Sequence, residues 1–278
     1  HILLDSLQKI CLMHGMEVDY YKKLFQTIGN IIVLIEKDDI PKYLLFLENA
    51  FPYMDNYNYY KGMNGIIQEL TGLLKTKNIG TDSDRALLLD FQATLETKPE
   101  KAIKLEKDAL TQIENITADN ARLVSNLHAN LGGLYRMNGH PDLAREHMEK
   151  SISLLDQFNL LHINDSIPQI ANYAMFLTEQ QEPERGISEL QKLSGIIKEY
   201  HSDDCLDYAK VQETLGTIYL MTANLPQAKT HFKKAFKIYE KIWADEPEII
   251  EAKYQEIQEL YPQIGFCIGK NLSGLLTK

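Results

Sequence analysis

One short motif occurs twice in the chain, and the distance between its copies limits what the chain can fold into. Leu-Gly-x-x-Tyr occupies residues 131–135 and again residues 215–219, 84 residues further on. In each copy an alanine follows the tyrosine after nine residues, at Ala144 and at Ala228. A chain that repeats itself at a fixed spacing is built from small structural units, each of which buries its apolar face against its neighbours.

The true period is half that distance, 42 residues. Ala174 lies midway between Gly132 and Gly216, so a small residue recurs at every step. Going back from Gly132, the same register falls on Asp90 and then on Glu48, which depart from the small-residue pattern. We therefore predict degenerate helical repeats in 1–81, a core of four helix pairs in 82–243, and capping helices in 244–278, all within one superhelical domain.

The spacing of apolar residues predicts helices throughout. Leu127, Leu131 and Leu134 recur at three- and four-residue steps, and no segment shows the alternation of a strand. Prolines such as Pro99, Pro141 and Pro183 stand where a second helix would begin. We predict an all-α fold, a right-handed α-solenoid of about fourteen helices in antiparallel pairs. The first and second helices of each pair are called A and B below. Ala144 and Ala228 are expected to be buried at the points where an A helix crosses a B helix.

This pattern resembles the tetratricopeptide repeat (TPR) family, in particular its 42-residue, kinesin-light-chain-like type. HEAT and armadillo arrays share a period near 40 residues but lack the Leu-Gly-x-x-Tyr motif. Asp90 and Glu48 depart from the family at the position of close helix contact. The resemblance implies a concave groove lined by the A helices, in which a protein segment or peptide binds.

The resemblance also selects groove residues. With Gly132 as reference, Asn126, Asn130 and Arg136 face the groove on one A helix, and Asn172 and Met175 do so on the next. Lys210 follows on the third. A carboxamide both donates and accepts, so Asn130 and Asn172 suit a peptide backbone. The alternative is that these asparagines only fasten adjacent helices, because the flanking repeats have Leu88 and Thr214 in that register.

Charge and motifs argue against other classes of function. Arg and Lys total 29 against 39 Asp and Glu, a net charge of −10, which is unsuited to a nucleic-acid backbone. The longest aliphatic run, Ile31 to Ile35, is too short to span a membrane, and no secretory signal is visible. Three distant cysteines indicate free thiols in a reducing compartment, so a cytoplasmic protein is expected.

No motif indicates catalysis, a metal or a cofactor. The segment from Gly265 to Lys270 is one residue short of a phosphate-binding loop and lacks its Ser or Thr. The histidines form no His-Glu-x-x-His pair, and His128 is expected to be structural or exposed. We therefore expect a non-enzymatic module that binds a protein or peptide.

The chain begins at His1 rather than at a methionine, which suggests a module from a larger signalling or regulatory protein. Residues 1–7 resemble a segment found near the start of the C-terminal sensor in STAND-type signalling ATPases. Two alternatives stay open. One is the peptide-pheromone-binding part of a quorum-sensing regulator, and the other is a structural scaffold with no ligand in its groove.

Overall fold

Helices joined by short turns make up the part of the chain that the computed structural model describes, residues 32–34, 36–50, 57–163 and 166–260. These residues contain no strand, as predicted, and hold eleven α-helices where about fourteen were expected for the whole chain. The segments at 1–7 and 265–270 lie outside the described residues, as do two of the three cysteines, Cys11 and Cys267. In chain order the helices are α1 (Ile40–Ala50), α2 (Tyr57–Lys77), α3 (Asp82–Leu95), α4 (Pro99–Thr111), α5 (Ala121–Met137), α6 (Pro141–Gln157), α7 (Ser166–Glu179), α8 (Pro183–Tyr200), α9 (Leu206–Met221), α10 (Leu225–Ile242) and α11 (Pro247–Leu260).

The 42-residue period is expressed in the helix boundaries. Five B helices begin at this interval, at Tyr57, Pro99, Pro141, Pro183 and Leu225. Four A helices end at the same interval, at Leu95, Met137, Glu179 and Met221. Each of these ends lies five residues after the predicted close-contact position, which confirms the register and extends it back to α2. The links from a B helix to the next A helix vary in length, so the A helices do not begin periodically.

The turn between the A and B helices has the same backbone conformation in three successive pairs. Gly139, Gln181 and Ala223 stand 42 residues apart, with φ values of 74°, 65° and 58°. A left-handed residue just past a helix lets the next amide bond back to the last turn, which is the Schellman arrangement. These amide bonds run from His140 N to Tyr135 O at 2.9 Å, from Glu182 N to Leu177 O at 2.8 Å and from Asn224 N to Tyr219 O at 2.7 Å.

The described helices belong to two compact units, His1–His147 and Met148–Lys278, called unit 1 and unit 2. In unit 1, α3 packs against α4, and both contact α5. Its cores are built from side chains such as Leu47, Ile67 and Phe91 around α1 to α3, and Ala86, Ala109 and Leu127 around α3 to α5. An A helix thus packs on its own B helix and on the next A helix.

Unit 2 repeats this arrangement, with α7 on α8, α9 on α10 and α7 on α9. The small residue at the helix crossing is required by the packing, because a Cβ atom at Gly216 would lie 2.9 Å from the Phe232 ring. Ala228 is buried at 1% exposure, and Ala144 on α6, which lies in unit 1, is completely buried. The prediction that both alanines are buried is therefore confirmed.

Enlarging the buried alanine of α10 should destabilise the chain. Ala228→Leu adds volume to a packed core, and overpacking costs about 1–3 kcal/mol. We expect a clearly lower thermal midpoint by circular dichroism. Ala252→Leu, an exposed position on α11, is the matched control and should melt like the wild type. An unchanged midpoint for Ala228→Leu would mean that this site has room to spare.

Glycine should be better than alanine in the turn before α10. An L-residue in the left-handed region costs about 1–2 kcal/mol, and glycine avoids most of that cost. We expect Ala223→Gly to raise the free energy of unfolding by about 0.5–1 kcal/mol, and Gly139→Ala to lower it by a similar amount. The measurement is urea unfolding.

The control for this turn is the same substitution inside a helix. Ala252→Gly in α11 should destabilise, because glycine weakens a helix interior by about 0.5–1 kcal/mol. Equal effects of glycine at positions 223 and 252 would contradict the proposed role of backbone conformation.

Candidate functional site

The six residues predicted to bind a ligand form two sets, one in each unit. Asn126, Asn130 and Arg136 lie on α5 in unit 1, where Asn130 is exposed and the other two are half-buried. The second set lies in unit 2 and consists of Asn172 and Met175 on α7 and Lys210 on α9.

In unit 2, the predicted residues lie on two A helices that pack against each other. Asn172 and Met175 are three residues apart and so share one face of α7. Asn172 is exposed, and its side chain makes no hydrogen bond to any residue that the structure describes. Met175 is half-buried and packs on the core. This face of α7 therefore offers a carboxamide to solvent beside a partly covered thioether.

The neighbouring helix α9 adds a cation and an apolar end. The Lys210 side chain is about half exposed, and its Nζ lies 3.9 Å from Asp207 Oδ1, one turn earlier. An ion pair of this length in solvent contributes little to stability, so the lysine can exchange its partner. Met221 ends α9 and stays 44% exposed. It stands in the same register as Met137 of α5, which is also exposed.

In unit 1, Asn130 already has a partner. Its Nδ2 donates to Asp90 Oδ1 of α3 at 2.7 Å. This bond joins two successive A helices, as the alternative in which asparagines fasten the array supposed. Asn130 and Asn172 thus differ in their surroundings although they share a register.

A group of charged and polar residues that the sequence did not single out connects α9, α10 and α11. Glu213 accepts a hydrogen bond from Tyr239 Oη at 2.6 Å and pairs with Lys253 Nζ at 2.9 Å. Burial and the Glu213 charge raise the pKa of Tyr239. Burial alone would lower the pKa of Lys253, but its bond to Glu213 raises it. Nothing in the local sequence around Glu213 signals these two partners.

One polar contact recurs in both units at positions 84 residues apart. In unit 1, the Nδ1 atoms of His128 and His147 lie 2.9 Å apart, and His147 stacks on Tyr135. In unit 2 the same register holds Gln212 and His231. Gln212 Oε1 lies 2.9 Å from His231 Nδ1, and His231 stacks on Tyr219. Because glutamine replaces one histidine without changing the geometry, the contact is structural. This agrees with the structural role expected for His128.

A small open cavity also lies in unit 1, with a volume of about 500 Å³. Its cations are Lys75 and Arg85, and Arg85 is paired with Asp82 at 2.5 Å. The lining residues are Thr71, Leu74, Lys75, Asn78, Arg85, Leu88, Leu89 and Gln112.

The described residues offer neither a membrane-spanning helix nor a cluster of metal ligands. None of their helices combines the length and the apolar character that crossing a membrane requires. Among the same residues, no group of three or more His, Cys, Asp or Glu side chains is arranged to hold a metal ion.

Comparison with known proteins links unit 2 to a repeat family. The model of the Tetratricopeptide repeat family matches residues 166–241, which run from the start of α7 almost to the end of α10. No curated protein matches the chain.

Solved structures with similar folds include repeats of the kinesin-light-chain kind. BtubC (BKLC) from P. vanneervenii is 11% identical, with a TM-score of 0.60 over 86% of this chain and 92% of that one. A point variant of the nearly identical TPR-like repeats of a putative kinesin light chain from Podosopora anserina is 12% identical, with a TM-score of 0.59 over 76% of this chain and 99% of that one. The same repeats without that substitution give 13% identity and a TM-score of 0.56, over 70% and 94%. At these identities the likeness concerns the fold.

The half-buried imidazole of His231 on α10 should make unit 2 sensitive to acid. Burial, with the nearby charge of Lys234, lowers the pKa of His231 from 6.5 to about 4. The unfolded chain takes up this proton near pH 6.5 and the folded chain does not, so stability is lost as the pH falls from 6.5 towards 4. The glutamine of His231→Gln stays neutral over this range. We therefore expect its thermal midpoint to fall less between pH 6.5 and pH 4 than that of the wild type.

The exposed His140 provides the control for this titration. His140→Gln should keep the acid sensitivity of the wild type, because that imidazole is exposed to solvent. Identical pH profiles for His231→Gln and the wild type would show that another group is responsible.

Proposed function

The chain carries tetratricopeptide repeats, and we propose that it is a binding module that holds an extended peptide or protein segment on the A-helix face of unit 2. Repeats of this family generally serve protein interaction. The observation that carries the proposal is the exposed Asn172 carboxamide, which has no hydrogen bond within the described residues and lies beside Met175.

The chemistry of this face suits a peptide main chain. A carboxamide can donate to a peptide carbonyl and accept from a peptide N–H, so Asn172 binds backbone without selecting a side chain. Met175 and Met221 supply adaptable apolar contacts, since the thioether is unbranched and polarisable. Lys210 adds a cation for an acidic group of the ligand.

The α5 positions make a separate proposal for unit 1. Arg136 is a cation for an acidic ligand group, and Asn126 is a carboxamide on the same helix. Asn130 is bonded to Asp90, so its first role is to join α3 and α5, and a ligand would have to compete for its amide.

The wider context belongs to the same proposal. We infer a cytoplasmic, non-catalytic module of a signalling or regulatory protein. The first hypothesis is that it is the sensor of a STAND-type ATPase. The peptide-pheromone-binding part of a quorum-sensing regulator is the alternative. An upstream phosphate-binding loop or an upstream helix-turn-helix in the full reading frame would distinguish the two.

The test uses peptides selected on the chain itself. Random peptides displayed on phage are enriched on the immobilised protein, and the best ones are labelled and titrated by fluorescence anisotropy. A neutral hydrogen bond contributes about 0.5–1.5 kcal/mol, so Asn172→Ala should weaken binding several-fold. Lys210→Ala should weaken the binding of peptides that carry an acidic residue, and this loss of affinity should be smaller at high salt.

Matched substitutions on exposed faces of the B helices are the controls. Gln191→Ala on α8 also removes an exposed carboxamide, and Lys237→Ala on α10 also removes an exposed lysine. Both should bind like the wild type. If the two B-helix variants lose affinity and the two A-helix variants do not, the ligand binds the outer surface and the scaffold alternative is favoured. Unchanged binding in all four would place the surface elsewhere.

A further inference from the structure

Two carboxyl side chains meet in unit 1 where other repeats bring together a small and a large apolar residue. In unit 2, Gly216 of α9 faces the ring of Phe232 on α10. The same register in the pair α3 and α4 holds Asp90 and Glu106. An apolar contact has thus been replaced by two acids at one helix crossing.

These acids lie beside each other, and one of them is bonded to the next A helix. Glu106 is 1% exposed, its carboxyl is a close neighbour of the Asp90 carboxyl, and its Oε2 has no hydrogen-bond partner among the described residues. Asp90 also accepts the Asn130 amide at 2.7 Å. The pair therefore connects α3 to α4 directly and to α5 through Asn130.

Two ionised carboxylates cannot make this contact, because both would accept and neither would donate. A hydrogen bond between them needs one proton, and burial favours the neutral form of an acid. Burial and the charge of Asp90 raise the pKa of Glu106 to about 10. Burial likewise raises the pKa of Asp90, against the lowering effect of its bonds to Glu106 and Asn130.

Charged groups on the neighbouring helices add little that could replace the proton. On α1, Glu48 opposes ionisation of Asp90. On α2, Lys75 lines the cavity together with Arg85 of α3. Arg85 comes five residues before Asp90 and so lies more than one turn away from it along α3. On α5 the contacting group is Asn130, which is neutral. Within the described helices no ion pair joins a cation to either carboxyl, so a proton is the simplest bridge.

We propose that Asp90 and Glu106 form a proton-binding site that fastens α3 to α4 and positions Asn130 of α5. This goes beyond the proposed function, because it needs no ligand in the groove. Folding takes up a proton at Glu106 that the unfolded chain releases near pH 4.5. The stabilisation is complete below that pH and is lost as the pH rises towards 10. The unfolding equilibrium can shift by at most about tenfold per pH unit on this account.

The test compares urea unfolding of the full chain at mildly acidic, neutral and mildly alkaline pH, all below the raised pKa of Glu106. Glu106→Gln puts a permanent donor in place of the protonated acid, so it should remove most of the alkaline loss of stability seen in the wild type. Glu69→Gln on α2, an exposed glutamate, is the matched control and should keep that loss. Equal pH dependence in wild type and Glu106→Gln would overturn the proposal.

Infrared difference spectroscopy observes the proton itself. The wild type at neutral pH should show the C=O stretch of a protonated carboxylic acid, and this band should be absent from Glu106→Gln. Lack of the band in the wild type would also overturn the proposal. Because it is read on wild-type protein at rising pH, this measurement holds even if the variant folds poorly.

A double variant and a metal titration complete the test. Asp90→Gly with Glu106→Phe copies the contact of Gly216 with Phe232. This double variant should fold, and its free energy of unfolding should fall less than that of the wild type as the pH rises. Ca²⁺ or Mn²⁺ added at alkaline pH should not stabilise the wild type more than Glu106→Gln. A selective gain for the wild type would identify a divalent-cation site and overturn the proton assignment.

Discussion

The close crossing of each A helix on its own B helix is the contact on which the rest of the array depends. From the close-contact residue to the first residue of the B helix the distance is nine residues in four pairs, as from Asp90 to Pro99 and from Gly216 to Leu225. A short turn of fixed length can join the two helices only if the distance between them is the same in every pair. In three of the four pairs the turn has a left-handed residue, even where that residue is Gln181 or Ala223. The links between pairs carry no such constraint, and their lengths vary.

Sequence reasoning predicted the features that this repeated contact imposes on every helix pair. The period, the A and B assignment, the helix starts at prolines and the buried alanines all depend on residues that recur, and recurrence is visible in one sequence. It could not predict the left-handed conformation of Ala223, because alanine gives no signal of that conformation. It also missed the contacts of Glu213 with Tyr239 and Lys253, since these residues come from three helices and occur in one repeat only.

The polar side chains of the described helices divide into those that the array uses and those that it leaves to solvent. His128 with His147 and Gln212 with His231 hold one geometry with different chemistry, so that position is structural. A binding residue should instead be exposed and should have no partner within the fold. Asn172 meets both conditions in the described part of the chain, which is why the proposed binding face is centred on it.

The contrast between Asn130 and Asn172 can be traced to one position in the repeat. The residue in the close-contact register one repeat before Asn130 is Asp90, which supplies a carboxylate for its amide. Asn172 is exposed and makes no hydrogen bond to any described residue. Two asparagines that look equivalent in the sequence therefore differ in whether their amide is already bonded. An acidic residue at the close-contact position is more than a departure from the family pattern, because it changes what the next A helix can offer to a ligand.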